Sequence, residues 1–496
     1  MSAQTIDHVA ILPGYLAAAT AVLVLLTDLV LHRRAAVVCV AALGFLATGI
    51  TAGLIGTLPA RQTFCTADGC SYVTGPATGL IGAVLAGCAL ATLALAQHRL
   101  RAVPRPLTDD DTGDTAPAGE FGFLLAASLT GGVVLAGARD LITIVIALET
   151  LTLPLYVLVA LRFRPTGGAD PRSADAAVGF LLMSVVAGAV TLMGAALLYV
   201  ATGQVQLAGV AAVLDQDGAG PLVLAAMTML LGGIGFKLAA VPLHGWAPGT
   251  YDAAPPPIAG YLSTASKLGG VAALLWIVTV ALRPVAESAG PVLAVLAVAS
   301  MTTGNLVALR QTRTVRLLAW SSVAQGGYLL VPLAGLAATG TGIDAATATV
   351  LAFAVFYVLL ETAAFAAVVA LRGRRIDGGA LADVAGAGRR HPASTAVLVL
   401  ALLGLAGLPP GFAGLFAKVT VVSAVASPAP WLAVVVVVNA VVGLVYYLRF
   451  AVLLVRPVGG ETAEAPRWPV TVVLVVTTMA LVVTGFAPQL VLRLAQ

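Results

Sequence analysis

Five ionisable side chains interrupt otherwise apolar stretches. They are Glu149 in LITIVIALETLTLPLYVLVA, Lys237 in GGIGFKLAAVPLHGW, Lys267 in PPPIAGYLSTASKLGGVAALL, Glu361 in YVLLETAAF and Lys418 at the end of GLPPGFAGLFAK. Those three lysines are the only ones among 26 basic residues, the rest being arginine. A charge at mid-membrane depth is costly and normally marks an ion or proton path. Low dielectric disfavours the ionised form of an amine and of a carboxyl, and a nearby opposite charge favours it in both. An acid and an amine that approach and separate therefore bind and release a proton, so the pattern points to a proton or cation translocator. Structural salt bridging of the same residues is the competing reading, as is snorkelling for a lysine near a helix end. Asp28, beside Leu31 and His32, lies close to the end of its apolar stretch. Arg449, in VVGLVYYLRFAVLLVRP, is read as snorkelling, and His244 as either a loop histidine or a proton relay.

Membrane helices must position these groups. The chain has 496 residues, 60% hydrophobic and 10% charged, with a mean hydropathy of +1.02. Soluble domains are about 25% charged, so an ordinary soluble globule is excluded. A disordered or nucleic-acid-binding chain is excluded too, despite a net charge of +4 and a pI near 9.0. About 20 apolar residues cross the hydrocarbon core as a helix. Fourteen windows qualify: 9–31, 36–57, 77–97, 121–138, 141–161, 176–201, 220–242, 257–282, 290–309, 316–337, 346–371, 395–423, 430–455 and 468–490. The expected fold is an all-α polytopic membrane protein of fourteen transmembrane helices with short connections.

The seventh and twelfth windows, around Lys237 and Lys418, contain or adjoin clusters of Gly and Pro. A broken backbone is tolerated at membrane depth only inside protein or beside a wet cavity. Two interrupted helices in corresponding halves point to a transport site built on inverted repeats. Connections after odd-numbered spans hold 18 arginines, among them Arg33, Arg99, Arg313 and Arg390, against four on the other side (Arg61, Arg139, Arg283 and Arg493). Positive charge favours the cytoplasmic side, which puts both termini outside. The first window lacks a basic leader and a cleavage site and is read as a retained helix.

Asp109, Asp110, Asp111 and Asp114 form an acidic run in the third connection, read as a solvated loop. Cys65 and Cys70 flank a turn-rich CTADGC stretch on the outer side, where a small disulfide is compatible with an oxidising compartment. Cys39 and Cys88 are read as buried helical residues. There is no CxxC pair, Walker A motif or GxGxxG after a strand, so no iron–sulfur, nucleotide, flavin or metal cofactor is assigned to this chain.

Four motifs carry a resemblance: ALETLTLPLYVLVA, GFKLAAVPLHGWAPGTYDAAPPPIAGYLSTASKLGG, LLAWSSVAQGGYLL and LAGLPPGFAGLFAK. Together with the fourteen-helix layout they resemble the antiporter-like membrane subunits of respiratory complex I, the bacterial NADH–quinone oxidoreductase. Lysine at position 418, the STASK form around Lys267 and a chain that stops just beyond its last span are similar to the subunit N branch. The resemblance implies that Glu149 and Lys237 form a charge pair, that Lys267 is the central relay lysine and that Lys418 ends the path. It also implies two inverted five-helix repeats, helices 4–8 and 9–13. The corresponding divisions are 1–106 (helices 1–3), 119–283 (first repeat), 289–456 (second repeat) and 466–496 (helix 14). Proton translocation coupled to quinone reduction elsewhere in the complex is the implied activity, with no cofactor in this chain. The implied setting is the bacterial plasma membrane, beside antiporter-like subunit M and small membrane subunits. A Mrp-type cation/proton antiporter subunit, a membrane subunit of an energy-conserving hydrogenase and a non-transporting scaffold are the alternatives.

Two departures from the family pattern matter. The tenth-span motif usually ends in histidine, and here Gln325 stands in its place; an amide hydrogen-bonds but does not titrate. Glu361 occupies a segment where the family usually has a neutral residue, and it is expected to supply the titratable group between Lys267 and Lys418. Shifting Glu149 by the Lys237-to-Lys418 offset, 181 residues, reaches Leu330, so the second half lacks an equivalent acid.

Overall fold

In lipid every backbone N–H and C=O must be satisfied within the chain, and a continuous apolar sequence does this as helix. The structure, a computed structural model, describes residues 6–101, 116–161, 171–336, 342–373, 375, 377–457 and 465–495. Its first half contains α1 (Leu12–Leu31), α2 (Arg34–Gly56), α3 (Pro76–Ala96), α4 (Ala118–Gly137), α5 (Leu141–Ala160), α6 (Pro171–Thr202), α7 (Leu207–Asp217), α8 (Pro221–Gly235), α9 (Trp246–Ala253), α10 (Pro256–Tyr261) and α11 (Lys267–Trp276). The second contains α12 (Ala286–Ala308), α13 (Thr314–Leu336), α14 (Ile343–Arg372), α15 (Ala387–Arg390), α16 (Pro392–Ala406), α17 (Phe412–Ala426), α18 (Pro430–Val455), α19 (Trp468–Phe486) and α20 (Gln489–Ala495). Among the described residues 13 helical runs are long and apolar enough to cross a membrane. They match every predicted window but 395–423, which is the pair α16 and α17, one interrupted crossing. The chain is a multi-pass membrane protein.

Both expected interruptions are present. After α8 the chain tightens into a 3₁₀ turn at Phe236–Leu238, Ala239 takes a left-handed φ of 55°, and helix resumes only at α9. After α16, Gly407 adopts φ +83°, a conformation that costs any side chain but suits glycine, and helix resumes at α17. The eighth span is irregular in another way. A π-helical turn at Leu262–Ser266 joins α10 to α11 and a second, Ile277–Ala281, follows α11. Such turns recur at functional sites, and Lys267 comes directly after the first.

At the arginine-poor end, strands β1 (Gln62–Thr66) and β2 (Gly69–Val73) form an antiparallel hairpin, and a disulfide joins Cys65 to Cys70 across it. Arg139 N–H donates to the Ser71 carbonyl at 2.8 Å, and Leu207 N–H at the start of α7 donates to the Arg139 carbonyl at 2.9 Å. The Arg139 guanidinium lies 3.6 Å from the Trp276 ring centre. One expectation is corrected: Cys88 is buried, but Cys39 is exposed, because it points away from the face of α2 that carries Val37, Val38, Ala41 and Phe45.

At the arginine-rich end the two halves are tied together. Arg313, between α12 and α13, donates to Asp252 at the end of α9 at 2.6 Å and lies 3.8 Å from Asp377. Arg372 donates to Asp377 at 2.7 Å and to Asp383 at 3.0 Å. Arg449 is exposed, as snorkelling requires, and donates to the carbonyls of Leu309 and Gln311 at 2.6 and 2.8 Å, so it also caps α12. Arg105, Arg162, Arg164, Arg374 and the acidic run Asp109–Asp114 lie outside the described residues.

Candidate functional site: a chain of buried lysines

The first lysine owes its position to the interruption after α8. Lys237 sits in the 3₁₀ turn, 5% exposed, and its ammonium donates to Thr152 Oγ1 on α5. Glu149 is three residues earlier on the same helix, half-buried, with its Oε1 turned toward Gly188 of α6; a Cβ there would lie 3.2 Å from that oxygen. Glu149 and Lys237 line one cavity of ≈ 300 Å³ with Ser184 and Thr191. The Ser184 hydroxyl is buried with no hydrogen-bond partner among the described residues. No ion pair within 4.0 Å joins Glu149 to Lys237. The acid and the amine thus face each other across a space, and Thr152 holds the amine meanwhile. The cavity reaches the outer surface of the bundle, since Val185 and Leu192 in its wall are 59% and 54% exposed.

Lys267 begins α11, 1% exposed, and donates to the Ser322 carbonyl on α13. Around it the eighth, tenth and eleventh spans contribute hydroxyls. Ser263 Oγ lies 3.1 Å from Ser322 Oγ and 3.0 Å from Tyr357 Oη. Tyr357 Oη is 2.8 Å from Ser322 Oγ and donates to the Ser263 carbonyl at 3.0 Å. Glu361, wholly buried on α14, accepts from Ser263 Oγ at 3.1 Å, and its Oε1 has no hydrogen-bond partner among the described residues. Buried polar groups are rarely left unpaired, so this oxygen is a place for a water or an approaching donor. Glu361 therefore belongs to the Lys267 cluster.

The second interruption frees two successive carbonyls, and two side chains take them. Lys418 of α17 donates to the Ala406 carbonyl at 2.9 Å, and Gln325 Nε2 donates to the Leu405 carbonyl at 3.3 Å. Gln325 Nε2 also donates to Tyr447 Oη at 3.2 Å. Gln325, Tyr357 and Lys418 share the wall of a cavity of ≈ 10 Å³. One water needs about that volume, 10–15 Å³. Tyr357 thus faces the Lys267 cluster with its hydroxyl and Lys418 across this cavity.

His244 is apart from these groups. It is half-buried between α8 and α9, with Nδ1 3.2 Å from the Pro242 carbonyl and its ring 5.5 Å from that of Trp320. The loop reading fits this placement better than the relay reading. The only signal the sequence carries for the hydroxyls of Thr152, Ser263, Ser322 and Tyr357 is polarity inside apolar windows.

Comparison with known proteins identifies the family and the fold. The family described as NADH:quinone oxidoreductase/Mrp antiporter, TM, matches residues 138–443. NADH-quinone oxidoreductase subunit N of Salinispora tropica is 51% identical, the match covering 99% of each chain. A chain in respiratory complex I from Thermus thermophilus with bound aureothin superposes with a TM-score of 0.77 at 28% identity, over 97% of this chain and 98% of that one. A chain of the Mrp complex from a Dietzia species gives a TM-score of 0.80 at 20% identity, over 98% and 96%, which is a likeness of fold. The lysines, the two interrupted helices and these likenesses agree: the chain belongs to the NADH:quinone oxidoreductase/Mrp antiporter family of transmembrane subunits, among the subunit N chains of NADH-quinone oxidoreductase.

Proposed function

We propose that this subunit translocates protons within a bacterial NADH-quinone oxidoreductase and takes no redox part, the electron-transfer cofactors residing in other subunits. The membrane would be the plasma membrane, with the arginine-rich end cytoplasmic and both termini outside. Its neighbours would be other membrane-arm subunits, including antiporter-like subunit M and small membrane subunits. Residues 119–283 and 289–456 are read as the two inverted repeats, flanked by 1–106 and 466–496.

In this reading Glu149 moves toward or away from Lys237 across their common cavity. When the acid is close the amine keeps its proton, and when it withdraws the proton is free to leave. Lys267 takes up that change, with Glu361 as the acid that offsets its charge through the Ser263, Ser322 and Tyr357 hydroxyls. A water beside Gln325 and Tyr357 would carry the proton on to Lys418. Gln325 holds that water without titrating, and Glu361 supplies the titratable group that the glutamine does not. The observation that carries the reading is the burial of Lys267 against Ser322, whose hydroxyl meets Ser263, bonded to Glu361, and Tyr357, in the wall of the Lys418 cavity.

The test is the assembled complex in sealed vesicles with Lys267→Ala. The expected result is quinone reduction without coupled proton uptake by this subunit. Full pumping at normal quinone reduction would reject the relay and leave a scaffold.

A further inference from the structure

Gln325 raises a physical question. An amide held by bonds of 3.2 and 3.3 Å, beside a cavity with room for one water, needs something to fix it if the water is to stay aligned with Lys418. The 3.2 Å bond leads to Tyr447, a residue of α18 with no part in the relay described above.

Tyr447 is buried, and its hydroxyl is shared between two groups on one face of α13: Ser321 Oγ at 2.5 Å and Gln325 Nε2 at 3.2 Å. Ser321 and Gln325 are four residues apart, stacked on successive turns, so the phenol clamps that turn from the side. The clamp is itself backed. The Tyr446 ring lies 4.3 Å from that of Tyr447, and Tyr446 Oη donates to Asn305 Oδ1 of α12 at 3.1 Å. Asn305 Nδ2 donates to the Asn439 carbonyl at 3.1 Å. α12 and α18 come close enough for this at Gly443, where a Cβ would stand 3.2 Å from Asn305 Oδ1.

Sequence offset gives the position a second meaning. The 181-residue shift from Lys237 to Lys418 carries Lys267 to position 448, next to Tyr447. Lys267 holds the carbonyl of Ser322, and Tyr447 holds the hydroxyl of its chain neighbour, Ser321. One half thus places an amine against α13 and the other a phenol. A phenol holds by hydrogen bonds and brings no positive charge to compete with Lys418.

We infer that Tyr447 is the positioning residue of the second half of the relay, fixing the Gln325 amide at the wall of the Lys418 cavity. The inference rests on the relay reading and deepens it. Tyr447 acts through Gln325, and the Tyr446–Asn305–Asn439 chain ties Gln325 to the seam between α12 and α18. No proton needs to reside on the phenol.

A double-mutant cycle in the assembled complex tests this, with protons translocated per quinone reduced as the readout. Tyr447→Phe keeps the ring and deletes both bonds; Gln325→Ala deletes the positioned group. Each single variant is expected to lower the ratio while uncoupled quinone reduction stays near wild type. The double variant is expected to be no lower than Gln325→Ala alone. An additive loss, or no loss in either single variant, overturns the inference. Ser321→Ala, which removes the other anchor of the phenol, stands in if Tyr447→Phe does not assemble, with the same expected non-additivity. Lys418→Ala in parallel separates the two levels: full pumping there rejects the relay itself, whereas its loss beside an additive Tyr447 effect rejects only the positioning role.

Discussion

Lys418 donates to the carbonyl of Ala406 at 2.9 Å, an oxygen that has no helical N–H to accept because α16 stops there. The interruption thus makes an acceptor for an ammonium deep in the bundle, and the residue that ends the helix controls where the lysine lies. A Cβ on Gly407 would stand 2.9 Å from Lys418 Cδ.

Gly407→Ala is therefore expected to do two things. Its left-handed backbone makes the alanine cost about 1–2 kcal/mol, and the new methyl pushes the lysine stem off the Ala406 carbonyl. Thermal inactivation of the assembled complex reads the first effect and protons pumped per quinone reduced reads the second. Unchanged pumping would show that Lys418 does not need this acceptor.

Glu361→Gln keeps an oxygen to accept from Ser263 and removes the titratable carboxyl. Proton translocation is expected to fall while complex assembly and uncoupled quinone reduction persist. Normal pumping in this variant would remove Glu361 from the path and leave Lys267 without its acid.

Gly188→Leu tests the first cavity. A leucine there is expected to fill the space beside Glu149 Oε1 and hold the acid away from Lys237, lowering coupling without touching either charge. Coupling equal to wild type would mean that Glu149 need not cross this cavity toward Lys237.

The ionic cluster at the arginine-rich end gives a pH prediction. Partial burial pushes the Asp377 carboxyl up, but hydrogen bonding from Arg372 and the charges of Arg372 and Arg313 outweigh it, so its pKa lies below the ordinary 3.8. A carboxyl lowered in the folded state stabilises above its unfolded pKa, and the gain is lost as pH falls through the folded value. Asp377 is about half-exposed, so Asp377→Asn is expected to cost less than about 1 kcal/mol. The cost should be constant across neutral pH and shrink below 3.8. Melting curves of the two complexes against pH check it, and a difference that grew on acidification would contradict the assignment.

The crossings and the lysines were legible because both are local signals. Twenty apolar residues in a row make a membrane helix whatever surrounds them, and Lys237 and Lys418 lie beside Gly and Pro clusters that announce the two breaks. What surrounds the lysines was not legible. Ser263 meets Tyr357 across 94 residues and Ser321 meets Tyr447 across 126, and no spacing rule spans such distances. The exposure of Cys39 is hidden for a related reason: a helix apolar all round gives no sign of which face meets protein. The ties from Arg313 to Asp252 and Asp377 were equally hidden, because a surface arginine reads as topology before its partner is known.

The ≈ 300 Å³ cavity between α5, α6 and α8 is open on one flank. A vestibule with one wall missing takes its dielectric from whatever closes it. Hydrocarbon chains against Val185 and Leu192 would insulate Glu149, whereas a neighbouring protein surface with polar groups would feed it. In the proposed relay the switching of this acid would thus be decided at the boundary of the subunit, by the company it keeps in the membrane.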